Sequence, residues 1–329
     1  MTRLLIFEPS YRRLEARLAA FGDRLECVLM QPDGAMTLNG APLAGPADPE
    51  LGWFNSELYF KPERARDYAA ALLGSSALKW VQSSAAGYDD RVFVLLSQKA
   101  RLTTNHSQAI AMAEYVLSTV LDHMQGGAGR RRDQAEHRWN PAPYREVMGT
   151  EWLIVGFGAI GQQAARRARA FGARITGVRR SLGDDPLADV MATPDQLLDL
   201  LPKADVVVLS LPLNKHTEGM VDAAFLAAMK PASIFVNVGR GGLVNEDALL
   251  AALDSGKPEH AILDVVRTEP LPSESPIWDH PRVALSSHLS GIGSGVAART
   301  DALFLENVRR YLAGEPLLNE VDAKEVTDG

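Results

Sequence analysis

The 329-residue chain is 46% hydrophobic and 23% charged, a composition suited to a globular protein long enough for two domains. Its formal net charge of −7 speaks against general attraction to nucleic acid or acidic membrane surfaces, and Cys27, the only cysteine, excludes an intrachain disulfide and a cysteine-based zinc cluster. No apolar run approaches the roughly 20 residues of a membrane span, and the charges scattered through MTRLLIFEPSYRRLEARLAAF are unlike a secretory signal, so a soluble cytoplasmic protein is expected.

In chain order, RLLIFE (3–8), RLECVLM (24–30), LGWFN (51–55) and LKWVQSS (78–84) read as strands, and YRRLEARLAAF (11–21) and PERARDYAAALL (62–73) as helices. HSQAIAMAEYVLSTVLDHM (106–124) reads as a long helix, and the basic GRRRDQAEHR (129–138) as a solvated helical face. From residue 152 the pattern becomes regular: WLIVGFG (152–158), ARITGVR (173–179), ADVVVLSLP (204–212), ASIFVNVG (232–239), EHAILDVV (259–266) and RVALSS (282–287) are near-continuously apolar. Runs rich in Val, Ile and Leu are how strands buried on both faces look. Helical segments such as GQQAARRARAF and NEDALLAALDSG separate them, and VAARTDALFLENVRRYLAG (296–314) reads as a last long helix. Alternating strand and helix implies a parallel, doubly wound sheet. The expected fold is a two-domain α/β protein: a Rossmann cofactor domain over 102–289, and a smaller flavodoxin-like α/β substrate domain from 1–101 and 290–329.

Gly156, Gly158 and Gly161 form G-x-G-x-x-G between a predicted strand and a predicted helix, with a second strand following on schedule. Gly156 permits the tight turn, Gly158 a close approach to a pyrophosphate, and Gly161 close packing of helix on strand. The helix start then offers N–H groups and positive dipole to the phosphates. A carboxylate is usual at the end of the second strand, where it accepts from the ribose of NAD. Here the strand ends GVRRS. Arg179 and Arg180 cannot accept a hydrogen bond, but they suit the 2′-phosphate of NADP, and Ser181 adds a hydroxyl. NADP(H) is therefore the preferred cofactor, with NAD(H) open.

Arg240, Glu269 and His288 each follow one of the predicted strands, at the edge where open α/β sheets bind ligands. The types suit hydride transfer to a 2-oxoacid. Arg240 grips a carboxylate through its planar fork and polarises the neighbouring ketone. His288 exchanges a proton with the oxygen. Glu269, if it contacts His288, would favour the charged ring and fix it. Asp264, at a strand end, is placed to orient the nicotinamide amide. Neither a metal nor a covalent nucleophile is required. Trp53, Phe54 and Tyr59 are read either as an acyl-side pocket or as core.

The stretches LKWVQSSAAGYD (78–89), AMAEYVL (111–117), VGFGAIG (155–161), VVLSLPLNKHTEGMV (207–221), FVNVGRGGLVNEDALLAAL (235–253) and ILDVVRTEPLPSESPIWDHPRVALSSHLSG (262–291) run in one order that covers most of the chain. In them the chain resembles the D-isomer-specific 2-hydroxyacid dehydrogenases, and within them the glyoxylate/hydroxypyruvate reductase branch. The resemblance implies the catalytic set Arg240, Glu269 and His288, with Arg240 and His288 also binding substrate. It implies substrate-carboxylate contact by backbone at Ala86 and Gly87, and a homodimer built through the cofactor domains. The expected cofactor positions are Gly156, Phe157, Gly158, Ala159, Ile160, Gly161, Arg179, Arg180, Ser181, Leu211, Pro212, Thr217, Val238, Gly239, Asp264 and Gly291. Three departures stand out: the missing strand-end acid, Asn245 where the family often has an acid, and Ser290 where it often has Ala. A broad-range or phenylpyruvate-type reductase stays open. So does a non-catalytic NAD(P)-sensing protein of the same fold, which the intact Arg, Glu and His disfavour.

Overall fold

In the computed structural model, residues 1–59, 61–87 and 90–322 are described; Tyr88 and Asp89, which close the first of the matching stretches, lie outside them. The chain divides into two compact units, Met1–Ser107 together with the chain from Ser294, and Gln108–Gly293.

The first unit is built on β1 (Thr2–Phe7), β2 (Leu25–Met30), β3 (Met36–Leu38), β4 (Ala41–Pro42), β5 (Leu51–Phe54), β6 (Trp80–Ser83) and β7 (Arg101–Thr103), in the order β4-β3-β2-β1-β5-β6-β7. The last five in that order are parallel, which is the flavodoxin-like arrangement, and β3 and β4 extend it antiparallel. Alternate side chains fill opposite faces: Leu5 and Phe7 pack with Val28 and Val81, whereas Leu4 and Ile6 pack with Trp53, Trp80 and Phe304. Trp53 is 0% exposed and stacks on Phe304 at 4.2 Å between ring centroids, so its role is core; Phe54 is buried too, and only Tyr59 of the three aromatics is exposed. The first helix is Glu8–Ala19, three residues earlier than expected at its start, because Pro9 carries the φ of a first helical turn. The long last helix is Val296–Ala313.

The second unit holds β8 (Glu151–Val155), β9 (Arg174–Val178), β10 (Val190–Ala192), β11 (Val206–Leu209), β12 (Ile234–Asn237), β13 (His260–Leu263) and β14 (Val283–Leu285), all parallel, in the order β10-β9-β8-β11-β12-β13-β14. That is the doubly wound order, with its switch point between β8 and β11. Trp152, Ile154, Val206, Val208, Ile234, Val236 and Ile262 line one face; Leu153, Val155, Val207, Leu209, Phe235, Ala261 and Leu263 line the other. The 106–124 helix begins at Ala109, because Asn105 turns the chain first by accepting from the Ser107 N–H at 2.8 Å. The basic stretch lies on the helix Gly127–Ala135, whose arginines are engaged in part by Asp122, to which Arg131 donates at 2.7 Å. No helix among the described residues is long and apolar enough to cross a membrane.

Candidate active site

The site is assembled at the carboxyl ends of the second unit's strands. β8 ends at Val155, and Gly156 turns the chain at φ +97°, a conformation that L side chains rarely adopt. The Gly156 and Phe157 N–H groups both donate to Val178 O at 3.0 Å, which ties the turn to β9. A Cβ on Gly161 would meet Gly156 O at 2.4 Å and Ile154 Cγ2 at 3.0 Å; helix and strand are that close. At Gly158 a Cβ would meet nothing within 4 Å, so no protein atom needs that glycine. The helix Ala159–Ala170 starts there, and its first N–H groups have no intrahelical carbonyl to reach. These residues fit a dinucleotide pyrophosphate, and the open face at Gly158 is the observation that supports the fit.

Neighbouring loops lean on the same turn. Ser210 Oγ donates to Gly156 O at 2.8 Å, and a Cβ on Gly239 would meet Leu211 O at 2.8 Å. Leu211 is thus held between the exits of β8 and β12. Thr217 closes the loop beyond it by donating to Pro212 O at 2.8 Å. Val238 continues the ladder, its N–H reaching Leu209 O at 3.1 Å.

Past β9, Arg179 is committed to its own loop: Nε donates to Ser181 O at 2.9 Å and a terminal nitrogen to Gly183 O at 2.8 Å. Arg180 and Ser181 are exposed. The two arginines therefore differ. Arg179 shapes the 181–183 loop, and Arg180 beside it is exposed. Asp185 holds the far side by accepting from Gln162 Nε2 at 2.8 Å.

Three successive exits carry the ionisable residues. Register pairs Asn237 with Leu263, and Leu263 with Leu285. The ladder runs on beyond the strands: Asp264 N to Asn237 O at 3.0 Å, Ser286 N to Leu263 O at 2.9 Å, and His288 N to Asp264 O at 2.8 Å. Arg240 follows β12, where the buried Asn237 side chain spans the turn, taking the Gly239 N–H and donating to Arg240 O, both at 3.0 Å. Gly241 lets this turn lie on the next one, since a Cβ there would sit 1.9 Å from the Val266 carbonyl carbon. Glu269 Oε1 accepts from the Val266 N–H at 3.1 Å, and Glu269 Oε2 lies 2.8 Å from His288 Nδ1. The carboxylate thus fixes the ring through Nδ1 and leaves Nε2 as the nitrogen available to a substrate.

His288 has φ +52°, uncommon for a residue with a side chain. Asp264 secures it. That carboxylate is 1% exposed; its Oδ1 accepts from Ser286 Oγ at 2.6 Å and Leu289 N at 2.9 Å, and its Oδ2 from Ser290 N at 3.0 Å. Asp264, expected to orient a nicotinamide amide, holds the His288 turn in this structure. Tyr115, from the helix Ala109–Met124, lies 2.6 Å from Ser286 Oγ, and burial pushes its phenol up. Gly291 follows on the same segment, partly exposed. Ser290 Oγ is buried with no hydrogen-bond partner among the described residues.

Asn237, Ser210, Ser286 and Tyr115 were not singled out in the sequence. Only Asn237 carried a signal, as a lone amide inside an apolar strand. The departure at Asn245 has a local role: its side chain caps the helix Glu246–Asp254 by accepting from Ala248 N at 3.0 Å. In the first unit, the segment carrying Ala86 and Gly87 leaves β6. It is braced by Asn105, whose N–H donates to Ala85 O at 2.9 Å and whose side chain donates to Ser84 O at 3.0 Å. Among the described residues no group of three His, Cys, Asp or Glu side chains converges to hold a metal ion.

Residues 117–290 match the family described as D-isomer specific 2-hydroxyacid dehydrogenase, NAD binding domain. The chain belongs to the D-isomer-specific 2-hydroxyacid dehydrogenases. It is an enzyme of that NAD(P)-dependent class, and within it resembles the glyoxylate/hydroxypyruvate reductases. Glyoxylate/hydroxypyruvate reductase A of Klebsiella pneumoniae is 34% identical over 213 residues, covering 64% of this chain and 67% of that one. The NADPH-dependent glyoxylate/hydroxypyruvate reductase of Sinorhizobium meliloti, solved with NADP and sulfate, superposes with a TM-score of 0.78 at 26% identity, over 99% of this chain and 100% of that one. A family member from Xanthobacter autotrophicus, solved with NADPH and MES, gives a TM-score of 0.79 at 27% identity, over 99% of both chains.

Proposed function

We propose that this dehydrogenase reduces a small 2-oxoacid, of the glyoxylate or hydroxypyruvate type, to the D-2-hydroxyacid with NADPH. The observation that carries the reading is the Glu269–His288 pair at 2.8 Å, one strand exit from Arg240 and in the same sheet as the glycine turn. The names of the K. pneumoniae and S. meliloti relatives support the substrate class, and the NADP bound in the latter supports the cofactor.

Gly156–Gly161 would take the pyrophosphate, and Arg180, with Arg179 and Ser181, the 2′-phosphate. Leu211, Pro212, Thr217, Val238, Gly239, Asp264 and Gly291 would surround the rest. When bound, the nicotinamide supplies the hydride. The chain's own residues do the remainder. Arg240 holds the substrate carboxylate and draws charge from the neighbouring carbonyl. His288 gives the proton on Nε2 to the ketone oxygen, and Glu269 steadies the ring as it does so. Backbone at Ala86 and Gly87 is the proposed carboxylate contact of the first unit. A homodimer through the cofactor-binding unit and a cytoplasmic location belong to the same reading.

A panel of glyoxylate, hydroxypyruvate, pyruvate, phenylpyruvate and formate with both cofactors tests this. The highest kcat/KM is expected for glyoxylate or hydroxypyruvate with NADPH, and the hydroxypyruvate product should be D-glycerate. Highest kcat/KM with phenylpyruvate, or turnover with formate alone, would overturn it.

A further inference from the structure

We propose that Tyr115 is a positioning residue for His288, acting through a hydrogen-bond chain Tyr115–Ser286–Asp264 that holds the left-handed turn from which His288 reaches Glu269. The proposal rests on the reading of His288 as proton donor.

The direction of the chain follows from its end. Ser286 Oγ donates to Asp264 Oδ1 at 2.6 Å, on a carboxylate that also accepts the Leu289 and Ser290 N–H groups. Ser286 Oγ is then the acceptor for the Tyr115 hydroxyl, also at 2.6 Å. Burial keeps the Tyr115 phenol protonated and therefore a donor. At the other end Asp264 grips backbone on both sides of the histidine side chain's origin: its carbonyl takes the His288 N–H at 2.8 Å, and its carboxylate takes the Leu289 and Ser290 N–H groups. A residue with φ +52° persists only where its surroundings hold it. Tyr115 belongs to a helix packed on the sheet, with Val116 and Val120 buried among Ile154, Val208 and Ile234. The chain therefore ties the His288 turn to a rigid element more than 160 residues away in sequence, since Tyr115 and Ser286 are 171 apart.

The test is a cycle of Tyr115→Phe and Ser286→Ala, read by kinetics and by the His288 ring. Tyr115→Phe keeps the packed ring and removes the donor. It should lower kcat by about tenfold, because small displacements of a reacting group are costly in rate. The KM for oxoacid and the Kd for NADPH should stay within about twofold, since neither Tyr115 nor Ser286 is a proposed contact of either molecule. Ser286→Ala should match it, the double variant should be no worse than either single, and Ser286→Thr should restore kcat relative to Ser286→Ala. In 15N-histidine NMR the His288 signals, assigned by their loss in His288→Gln, should move in Tyr115→Phe while the other histidines stay. Unchanged kcat with an unmoved His288 signal would overturn the proposal, as would losses that multiply in the double variant. Should the wild type reduce no 2-oxoacid, the reading of function falls, and the NMR comparison still decides whether Tyr115 positions His288.

Discussion

Glu269 Oε2 and His288 Nδ1 lie 2.8 Å apart across 19 residues of sequence, and the other oxygen of the same carboxylate holds the Val266 N–H at 3.1 Å. One side chain therefore anchors its own loop and the histidine ring. Glu269→Gln separates the two tasks, because the amide oxygen can still accept from Val266 while the charge is lost. We expect kcat to fall by about 10- to 150-fold, the cost of about 1.5–3 kcal/mol for a hydrogen bond to a charged group. KM and melting temperature should change little. A loss confined to KM would contradict the orienting role.

Two glycines of the same motif should fail in different ways. At Gly161 a side chain would strike the Gly156 carbonyl at 2.4 Å, so Gly161→Ala should lower the melting temperature, with a cost of about 1–3 kcal/mol for overpacking. At Gly158 nothing lies within 4 Å, so Gly158→Ala should melt as the wild type does but bind NADPH more weakly. Thermal melts with and without NADPH distinguish the outcomes. Equal melting of both variants without ligand would contradict the packing account.

Arg180 and Arg179 should also part company. Arg180→Ala should weaken NADPH by about 10- to 150-fold, one charged contact of roughly 1.5–3 kcal/mol, and leave NADH nearly unchanged. Arg179 holds the carbonyls of Ser181 and Gly183, so Arg179→Ala should loosen the loop and weaken both cofactors, NADPH the more because this side chain is also proposed at the 2′-phosphate. Titration of each variant with both cofactors checks this. Equal losses for NADPH and NADH in Arg180→Ala would remove the 2′-phosphate assignment.

Away from the site, the His123 and His260 rings stack at 3.9 Å between centroids. Burial, then the nearby His123, Arg145 and His280, hold His260 down at about 3, and burial lowers His123 against the pull of Glu259. Both are harder to protonate folded than unfolded. Their contribution is complete above the unfolded value of about 6.5 and drains away as pH falls toward about 3. Each proton taken up only on unfolding is worth at most about 1.4 kcal/mol per pH unit. Urea midpoints between pH 7.5 and pH 5 should fall for the wild type and fall less steeply for His260→Gln. An identical slope in both would show that the pair is not responsible.

Much of this was legible in the sequence, for identifiable reasons. Six apolar runs from residue 152 became β8, β9 and β11 to β14, because strands buried on both faces need unbroken Val, Ile and Leu. The three-residue edge strand β10 and the short β3, β4 and β7 left no such run to read. Arg240, Glu269 and His288 stood out because charge is rare at the end of an apolar strand. Tyr115 and Ser286 did not, because a tyrosine among apolar helix residues reads as core and a serine at the end of the RVALSS run reads as part of the strand. Asp264 stood out in the sequence by its place at a strand end but not by its contacts: its partners lie 22 to 26 residues on, and only the folded ladder brings them to its carboxylate.

We propose that His288 delivers the proton and does not hold the cofactor. This is tested most directly by comparing wild type and His288→Ala in NADPH-dependent reduction of hydroxypyruvate and in NADPH binding, followed by nicotinamide fluorescence. General acid catalysis contributes about 10²- to 10⁴-fold. A kcat loss of that size is expected, with NADPH affinity within about twofold of wild type. Turnover within tenfold of wild type, or a loss of NADPH affinity that matches the loss of rate, would contradict it.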